Sequence, residues 1–301
     1  MSANRFVIGI DLGGTAIKLG CFDVLGQCLA SLEVATPQPA TPEAVMSTLV
    51  EAISKLDPEE VAIALGIGTP GPADAAGRIA RIAINLPDWQ EVPLADRLEA
   101  LTGKPTAIGN DANCAALGEA WLGAGRPYQN WILLTLGTGV GGAIFLNRKL
   151  FVGQSGAAGE LGLITLRPKG PPCNSGNAGS LEQYASARSI QRRTGLTAAA
   201  LAAKARGGDQ AAIAFWQQYG QDLGAGLASL IYVLTPEAIV LGGGVSASAD
   251  LFLPTAQNEL EQRVMATSRE SLVLVPASLG NRAGMLGAAR LAWERMGFQL
   301  T

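Results

Sequence analysis

The strongest constraint on the fold is a strand, a glycine turn and a second strand that occur twice, 124 residues apart. The first turn is Asp11-Leu12-Gly13-Gly14-Thr15 and the second is Thr135-Leu136-Gly137-Thr138-Gly139. Each turn lies between two apolar runs of strand length. A unit present in two copies predicts a duplicated fold with one copy in each lobe, although glycine turns also recur by chance in a chain with 38 glycines.

Strands and helices alternate along the N-terminal half of the chain. The patterns predict strands over 6–10, 17–21, 28–34, 61–67, 105–108 and 131–136, and helices over 41–56 and 112–122. This order indicates an α/β protein whose sheet is largely parallel and covered on both faces. The C-terminal half is predicted to be mostly helical, with strands at 238–241 and 271–275 and a long loop over 167–180.

The length and charge of the chain narrow its possible partners. A chain of 301 residues is long for one core, so two lobes with a cleft are expected. The net charge of −3, without a basic cluster, favours neither nucleic acid nor a membrane surface as a partner. The N-terminus enters a strand pattern directly, without the features of a signal peptide, which predicts a cytoplasmic protein.

The chain contains no histidine. Imidazole catalysis, Ser/His triads and most zinc chemistry are therefore excluded, and a general base must be a carboxylate, lysine, tyrosine or cysteine. The four cysteines, Cys21, Cys28, Cys114 and Cys173, have no CxxC spacing and are predicted to be free thiols in or near the core.

The two glycine turns are candidates for phosphate binding, because glycine lets backbone N–H groups approach an anion closely. Asp11 could hold a magnesium ion through water, and Thr15 and Thr138 offer hydroxyl groups. A plain hairpin turn is the better interpretation of either copy alone. The presence of both copies favours phosphate binding.

Two other nucleotide-binding motifs, the GxGxxG turn of dinucleotide-binding folds and the P-loop, do not fit this chain. Residues 137–142 and 66–71 both match GxGxxG, but the first continues into a strand and the second contains a proline with no helix after it. No GxxxxGK[ST] motif is present. A dinucleotide-binding fold and a P-loop fold are therefore both disfavoured.

A few further residues could bind ligands or carry chemistry. Gly242, Gly243 and Gly244 follow a predicted strand and could accommodate an adenine ring, or form a plain turn. Asn110 and Asp111 lie where a predicted strand meets a predicted helix. They could form a ligand-binding site at the edge of the sheet, or one of them could simply be the N-cap of the helix. Glu160 and Glu182 lie near glycine-rich segments, although a lone glutamate is usually a surface residue.

Seven motifs, taken in order, resemble those of the ROK family of sugar kinases and repressors. They are Asp11-Leu12-Gly13-Gly14-Thr15, Gly68-Thr69-Pro70-Gly71-Pro72, Asn85-Leu86, Gly109-Asn110-Asp111-Ala112-Asn113, Leu136-Gly137-Thr138-Gly139-Val140-Gly141-Gly142, Glu160-Leu161-Gly162 and Leu241-Gly242-Gly243-Gly244. The resemblance covers almost the whole chain. It implies an actin-like, hexokinase-like duplicated fold, with a smaller lobe over 1–110 plus 282–301 and a larger lobe over 111–281.

The resemblance also implies roles for individual residues. Asp111 would be the catalytic base. The sugar would be bound by Gly71, Asn85, Asn110, Glu160 and Glu182. ATP and Mg²⁺ would be bound by Asp11, Gly13, Gly14, Thr15, Lys18, Gly137, Thr138, Gly139, Gly242, Gly243 and Gly244. A homodimer is expected by the same resemblance.

The chain departs from the family pattern at its zinc site. Leu163 occupies the position where the family usually has a zinc-binding histidine. In the loop that usually supplies zinc-binding cysteines, Cys173 remains, while Ser175 and Ser180 replace two others. No bound zinc is expected.

The expected function is ATP-dependent phosphorylation of a hexose, with glucose and glucose 6-phosphate as substrate and product. Fructose, mannose, N-acetylmannosamine or another N-acetylated amino sugar are alternative substrates, and polyphosphate is an alternative donor. A degenerate, non-catalytic sugar-binding protein is a further alternative because of Leu163. A repressor is disfavoured, since about five residues before Phe6 cannot form a helix-turn-helix.

Overall fold

The structure is a computed structural model that describes residues 5–83 and 86–298. Its strands are β1 (Val7–Leu12), β2 (Ala16–Phe22), β3 (Cys28–Ala35), β4 (Leu65–Thr69), β5 (Ala80–Ile82), β6 (Gln90–Val92), β7 (Thr106–Asn110), β8 (Trp131–Leu136), β9 (Val140–Leu146), β10 (Lys149–Leu150), β11 (Ala238–Gly242) and β12 (Val273–Pro276). Its α-helices are α1 (Pro42–Leu56), α2 (Leu94–Thr102), α3 (Asp111–Leu122), α4 (Glu182–Ala185), α5 (Ala187–Thr194), α6 (Ala198–Arg206), α7 (Gln210–Leu234), α8 (Ala249–Arg263) and α9 (Ala283–Arg295).

Two five-stranded sheets share one topology. Their strand orders are β3-β2-β1-β4-β7 and β10-β9-β8-β11-β12. The bounds of β1 and β2 become those of β8 and β9 when 124 is added, as the sequence repeat requires. The expected duplicated α/β fold is therefore confirmed.

The expectation of a largely parallel sheet is wrong for both copies. In the first sheet β1, β4 and β7 are parallel, whereas β2 pairs antiparallel with both β1 and β3. In the second, β8, β11 and β12 are parallel and β9 is antiparallel to β8. A turn of only a few residues joins antiparallel neighbours, so each glycine turn adds an antiparallel strand to the parallel centre.

The strand predicted over 61–67 begins later, at Leu65. The Asp57 carboxylate accepts the backbone N–H groups of Val61 and Ala62, each at 2.9 Å. Lys104 pairs with the same carboxylate at 3.3 Å. Because a side chain satisfies these two N–H groups, residues 61 and 62 do not enter the β ladder.

The helix predicted over 41–56 is confirmed as α1. Thr41 is its N-cap, with the hydroxyl accepting the Ala44 N–H, and Pro42 is the first helical residue. Pro at this position loses no helical hydrogen bond, and a Thr cap satisfies an N–H that the helix leaves open.

Helices cover both faces of the first sheet. Ile8, Ile10 and residues of α1 share one core cluster, while Val7 and residues of α9 share another. On the α9 side, a Cβ at Gly9 would lie 2.0 Å from a helix carbonyl oxygen, and one at Gly66 would lie 1.7 Å from another. Only glycine permits this close approach of a helix to β1 and β4.

The chain divides into two compact units. The first comprises 1–127, 150–158 and 278–301, and the second comprises 128–149 and 159–277. The boundary expected at residue 110 lies directly before α3, which falls in the first unit. There α3 packs tightly on α9: a Cβ at Gly118 would lie 2.4 Å from the Ala283 oxygen, and one at Gly287 would lie 1.6 Å from the Cys114 oxygen.

The second unit has its own aromatic core. Trp216 stacks on Phe252 with ring centroids 5.9 Å apart, and Tyr219 lies 4.9 Å from Phe252. All three side chains are almost completely buried. Within 5–83 and 86–298, no helix is long and apolar enough to span a membrane.

Candidate functional site

Asp11 and Lys18 face each other across the first hairpin. They are register partners in the antiparallel pair of β1 and β2. Burial raises the pKa of the Asp11 carboxyl above its usual value, and the positive charge of Lys18 partly opposes that shift. The sequence analysis named both residues, and the β register explains why the charge of one acts on the other.

The first glycine turn is held by Thr36, which the sequence analysis did not single out. The Thr36 hydroxyl donates to the Gly13 oxygen at 2.7 Å, and its backbone N–H donates to the Thr15 oxygen at 3.0 Å. Thr36 is buried at the end of β3. No sequence signal marks a single threonine after a strand as the support of a turn 21 residues earlier.

The two glycines of the first turn differ, because the structure requires glycine at Gly13 but not at Gly14. A Cβ at Gly13 would lie 2.8 Å from the Ala16 oxygen, so the turn itself excludes a side chain. A Cβ at Gly14 would meet nothing within 4 Å, and Gly14 has no positive φ. Neither packing nor backbone conformation requires glycine there, which leaves room for the close approach of a ligand.

Asn110 caps α3. Its side-chain oxygen accepts the N–H groups of Ala112 at 2.9 Å and Asn113 at 3.1 Å. Asp111 is therefore not the N-cap but the first helical residue, and its Oδ1 accepts the Ala112 N–H at 2.7 Å. The interpretation of Asp111 as a cap is excluded, because Asn110 performs that role.

The Asp111 carboxyl has a shifted pKa. The side chain is solvent-exposed in the structure, and yet protein atoms crowd around it. This desolvation raises its pKa to about 6, with a further increase from the negative charge of Asp11 and an opposing hydrogen bond from Ala112. An exposed carboxylate with a pKa near neutrality can accept a proton from a ligand.

Gly71 has a structural reason to be glycine. Its φ is +82°, and a Cβ would lie 1.9 Å from the Ile82 oxygen. Its carbonyl oxygen accepts the Asn110 Nδ2 at 3.1 Å. The structure therefore brings Gly71 and Asn110 into contact, while Asn85 lies outside the described residues.

In the second unit, Glu182 reaches the second glycine turn. Its Oε2 accepts the Val140 N–H at 3.0 Å. A Cβ at Gly139 would lie 2.4 Å from the same oxygen. Gly137, at the start of the same turn, accepts the Ala187 N–H with its carbonyl oxygen at 2.8 Å. Glu182 thus contacts the hairpin that carries Thr138, which the sequence alone could not show.

The third glycine cluster follows β11. Gly243 has φ +84°, and a Cβ there would lie 2.5 Å from the Leu136 oxygen, so only glycine fits. A Cβ at Gly244 would meet nothing within 4 Å. The helix expected directly after these glycines begins with a 3-10 turn, Gly244–Ser248, before α8. Open space at Gly244 again leaves room for a flat ligand.

Glu160 precedes a 3-10 turn, Leu161–Leu163, and its side chain is exposed. The turn packs on β9, since a Cβ at Gly162 would lie 2.0 Å from the Val140 oxygen. Val140 is thus contacted by this turn and, through its N–H, by Glu182.

Asn177 joins the long loop over 167–180 to the end of the 3-10 turn Leu161–Leu163. Asn177 Nδ2 donates to the Leu163 oxygen and to the Thr165 hydroxyl, each at 3.0 Å. Within the described residues, no group of three or more His, Cys, Asp or Glu side chains could hold a metal ion. Hydrogen bonds from Asn177 therefore hold the loop where the family pattern has its zinc-binding residues.

Most of the predicted site residues that the structure describes form two groups, one in each unit. The first group joins Asp11, Lys18, the first glycine turn, Gly71, Asn110 and Asp111. The second joins the second glycine turn, Glu182 and the 3-10 turn after Glu160. Thr36 and Asn177 support these groups and were missed by sequence reasoning.

Comparisons with known proteins identify the family of the chain. The model of the ROK family matches residues 7–295. A glucokinase from Thermotoga maritima is 34% identical, with 97% of this chain and 98% of the relative covered.

Solved structures show the same likeness. A ROK family glucokinase from Streptomyces griseus, in complex with glucose and AMPPNP, is 34% identical with a TM-score of 0.83 over 96% of this chain and 99% of its own. A ROK hexokinase from Thermus thermophilus is 36% identical with a TM-score of 0.84 over 97% and 99%. The chain belongs to the ROK family.

Proposed function

We propose that this protein is an ATP-dependent sugar kinase that transfers the terminal phosphoryl group of ATP to a hexose, with glucose as the preferred acceptor. The observation that carries the proposal is the state of Asp111. Asn110 caps α3, so Asp111 is not required as a cap, and its carboxyl is exposed with a pKa raised to about 6. In a chain without histidine, such a carboxylate is suited to act as the general base.

The reaction requires little covalent chemistry from the protein. Phosphoryl transfer depends on positioning, on electrostatic stabilisation and on a base for the attacking hydroxyl. The sugar hydroxyl that attacks the γ-phosphorus gives its proton to Asp111. Asn110, one residue earlier, is fixed by its bonds to the helix N–H groups and to Gly71, which places a rigid amide beside the base.

The glycine turns fit the phosphates and ring of ATP. A Cβ at Gly14 or at Gly244 would project into open space. The backbone conformation at Gly14 does not require glycine either. Backbone N–H groups at such turns bind anions. We place the phosphates at the two hairpins and the adenine at the cluster around Gly244.

Magnesium would be held by Asp11 and by phosphate oxygens of the nucleotide. Mg²⁺ commonly uses one or two protein carboxylates together with water and substrate phosphates. Asp11 and Asp111 repel each other, since the charge of Asp11 raises the pKa of Asp111. A bound divalent cation would neutralise this local charge and the charge that develops on the transferred group.

Sugar binding is assigned to carboxylate and amide side chains. Glu160 and Glu182, with Asn85 and Asn110, offer acceptors and donors for several hydroxyls. Glucose is the proposed substrate because relatives named glucokinase align along nearly the whole chain at 34% identity. We further propose that the protein acts in the cytoplasm as a homodimer and supplies glucose 6-phosphate to glycolysis.

A panel of hexoses assayed for ADP release tests the proposal. Glucose, mannose, fructose, N-acetylglucosamine and N-acetylmannosamine are compared with ATP, and with polyphosphate in parallel. We expect ATP with glucose to give the highest kcat/KM.

The matched control is Asp111→Asn under the same conditions. Binding of glucose by calorimetry without turnover of any sugar would instead identify a non-catalytic sugar-binding protein. A higher kcat/KM with another sugar would reassign the substrate while keeping the kinase.

A further inference from the structure

A buried carboxylate in the second unit has no part in the proposed chemistry. Asp222 lies in the middle of α7, and its side chain is only 2% exposed. The Arg167 guanidinium and the Gln218 amide both donate to its Oδ1, the amide at 3.2 Å. The Arg193 guanidinium lies 3.6 Å from its Oδ2. Because a buried charge without partners is very costly, these groups have one strongly preferred arrangement around the carboxylate.

Arg193 connects this carboxylate to α4, the short helix that begins with Glu182. Its guanidinium donates to the Tyr184 oxygen at 3.4 Å. The neighbouring residue in α5, Arg192, donates to the Gln183 oxygen at 2.6 Å. Two successive carbonyl groups of α4 are therefore held by arginines from the last turn of α5.

The last carbonyl of α4 is also held by a side chain. The hydroxyl of Tyr219, in α7, donates to the Ala185 oxygen at 2.7 Å. A helix leaves its last four carbonyl groups without partners of its own, and in a helix of four residues these are nearly all of its carbonyls. The direction of α4 therefore depends on α5 and α7, and so does the position of Glu182 at its start.

Arg167 connects the same carboxylate to the segment that leads into α4. Its guanidinium lies 5.0 Å from the centre of the Tyr184 ring, and its backbone N–H donates to the Gly179 oxygen at 3.0 Å. Gly179 has φ +67°, and a Cβ there would lie 1.6 Å from the Arg167 oxygen, so the two backbone segments touch. Because Gly179 lies shortly before Glu182 in the chain, the partners of Asp222 hold the chain on both sides of Glu182.

We propose that Asp222 is a positioning residue for sugar binding, which sets the position of Glu182 through Arg167 and Arg193. The proposal rests on the sugar-binding role proposed above for Glu182. One oxygen of the Glu182 carboxylate accepts the Val140 N–H at 3.0 Å. A displacement of α4 moves the carboxylate from this place, and a hydrogen bond to a sugar hydroxyl weakens steeply when its geometry is lost.

Asp222→Asn tests the proposal, because it removes the charge and keeps the size of the side chain. We expect KM for glucose to rise by roughly tenfold, in the range of one lost hydrogen bond to a charged group, and to rise more than KM for ATP. We expect kcat to change by less than about twofold, as for a loss of ground-state binding. A KM for glucose equal to that of the parent would overturn the proposal.

The matched control is Asp250→Asn. Asp250 also pairs with an arginine of the same unit, Arg206 at 2.7 Å, but this pair is exposed on both sides. The control should leave KM for glucose unchanged. An equal rise in both variants would overturn a special role for Asp222.

A double-mutant cycle separates positioning from a general loss of stability. In a Glu182→Ala background, Asp222→Asn should cause no further rise in KM for glucose, because the residue through which it acts is absent. Additive effects of the two substitutions would overturn the proposal. Arg167→Gln is a second variant if Asp222→Asn folds poorly, since the Arg167 side chain is 56% exposed. It should raise KM for glucose and Arg167→Lys should restore part of the affinity, whereas a parent-like KM for Arg167→Gln would overturn the connection.

Hydrogen exchange at α4 gives a readout that does not depend on kinase activity. The Ser186 N–H donates to the Glu182 oxygen at 3.2 Å, and this amide should exchange faster in Asp222→Asn than in the parent or in Asp250→Asn. Unchanged exchange would overturn the proposal even if KM rises. A parent protein that binds no hexose by calorimetry would overturn the proposed function instead, and the exchange rates would then still report whether Asp222 holds α4.

Discussion

The Oε1 atom of Glu119 accepts the backbone N–H of Leu279 at 2.8 Å, although Glu119 lies in the last turn of α3, 160 residues earlier. The same carboxylate accepts the N–H groups of Ser278 and Ala124 and the Ser278 hydroxyl. Glu119 is completely buried. Its carboxylate therefore holds two segments against α3: the residues just after the helix, at Ala124, and the segment at Ser278 and Leu279 where the chain returns to the first unit.

Glu119→Gln should destabilise the protein by about 2–4 kcal/mol, because the new amide group faces N–H donors that then lose their acceptor. Unfolding in urea, monitored by fluorescence, measures the change. Glu51→Gln is the matched control, since Glu51 forms an exposed i,i+4 pair with Lys55 and the substitution should change stability very little. Similar effects of both substitutions would contradict a special role for Glu119.

Asp111→Asn should keep the fold and the affinity for sugar but remove most phosphoryl transfer. Asparagine cannot accept a proton, and general-base catalysis typically contributes ~10²–10⁴-fold. Rapid kinetics should show this fall in kcat, while calorimetry shows a nearly unchanged Kd for glucose. A kcat within about threefold of the parent, well below the general-base range, would remove Asp111 from the mechanism.

The activity should depend on pH through the same carboxyl. Asp111 must be ionised to act as a base, and its pKa is raised to about 6. We expect kcat/KM to rise with pH and level off above that value. A flat profile across this range, measured with glucose and ATP at fixed ionic strength, would contradict the assignment.

Thermal unfolding of the Asp111→Asn variant checks the pKa independently. The pKa of Asp111 in the folded protein lies above its usual value of 3.8. Protonation of this carboxyl therefore stabilises the folded protein fully below pH 3.8, and the stabilisation is lost as the pH rises through about 6. Above this range the ionised carboxyl destabilises the folded protein. The variant should therefore have a higher Tm than the parent in mildly alkaline buffer, and the difference should disappear in acid.

Glu160→Ala should raise KM for the hexose more than KM for ATP. Loss of a carboxylate that pairs with a sugar hydroxyl leaves that hydroxyl without a partner. Because Glu160 is exposed, the substitution should leave the Tm nearly unchanged. Steady-state kinetics with each substrate varied in turn distinguishes the cases, and equal effects on both KM values would indicate a structural role instead.

The purified protein should contain no stoichiometric zinc. Structural zinc needs four thiolate or imidazole ligands as a rule, and the loop retains only Cys173 from the family pattern, with Asn177 holding it to Leu163. Elemental analysis of the purified protein measures the metal content. One zinc per chain, with activity lost to a chelator that spares magnesium, would contradict this prediction.

The sequence by itself determined the duplicated α/β fold, because periodicity and glycine turns act locally and their repeat at 124 residues is visible in the chain. It also determined which residue types could serve as the base, since the chain has no histidine. The caps of α1 and α3 follow the same local rules. Each of these features depends on residues close together in sequence.

Only the tertiary structure decided which neighbour performs which role. Asn110 rather than Asp111 caps α3, because its oxygen reaches the two open N–H groups. Glu182 contacts Val140 across 42 residues, and the close packing of α9 explains why β1 contains a glycine at position 9. Such relationships depend on distances between segments far apart in the chain, and the pKa of Asp111 depends on the protein atoms that folding gathers around it.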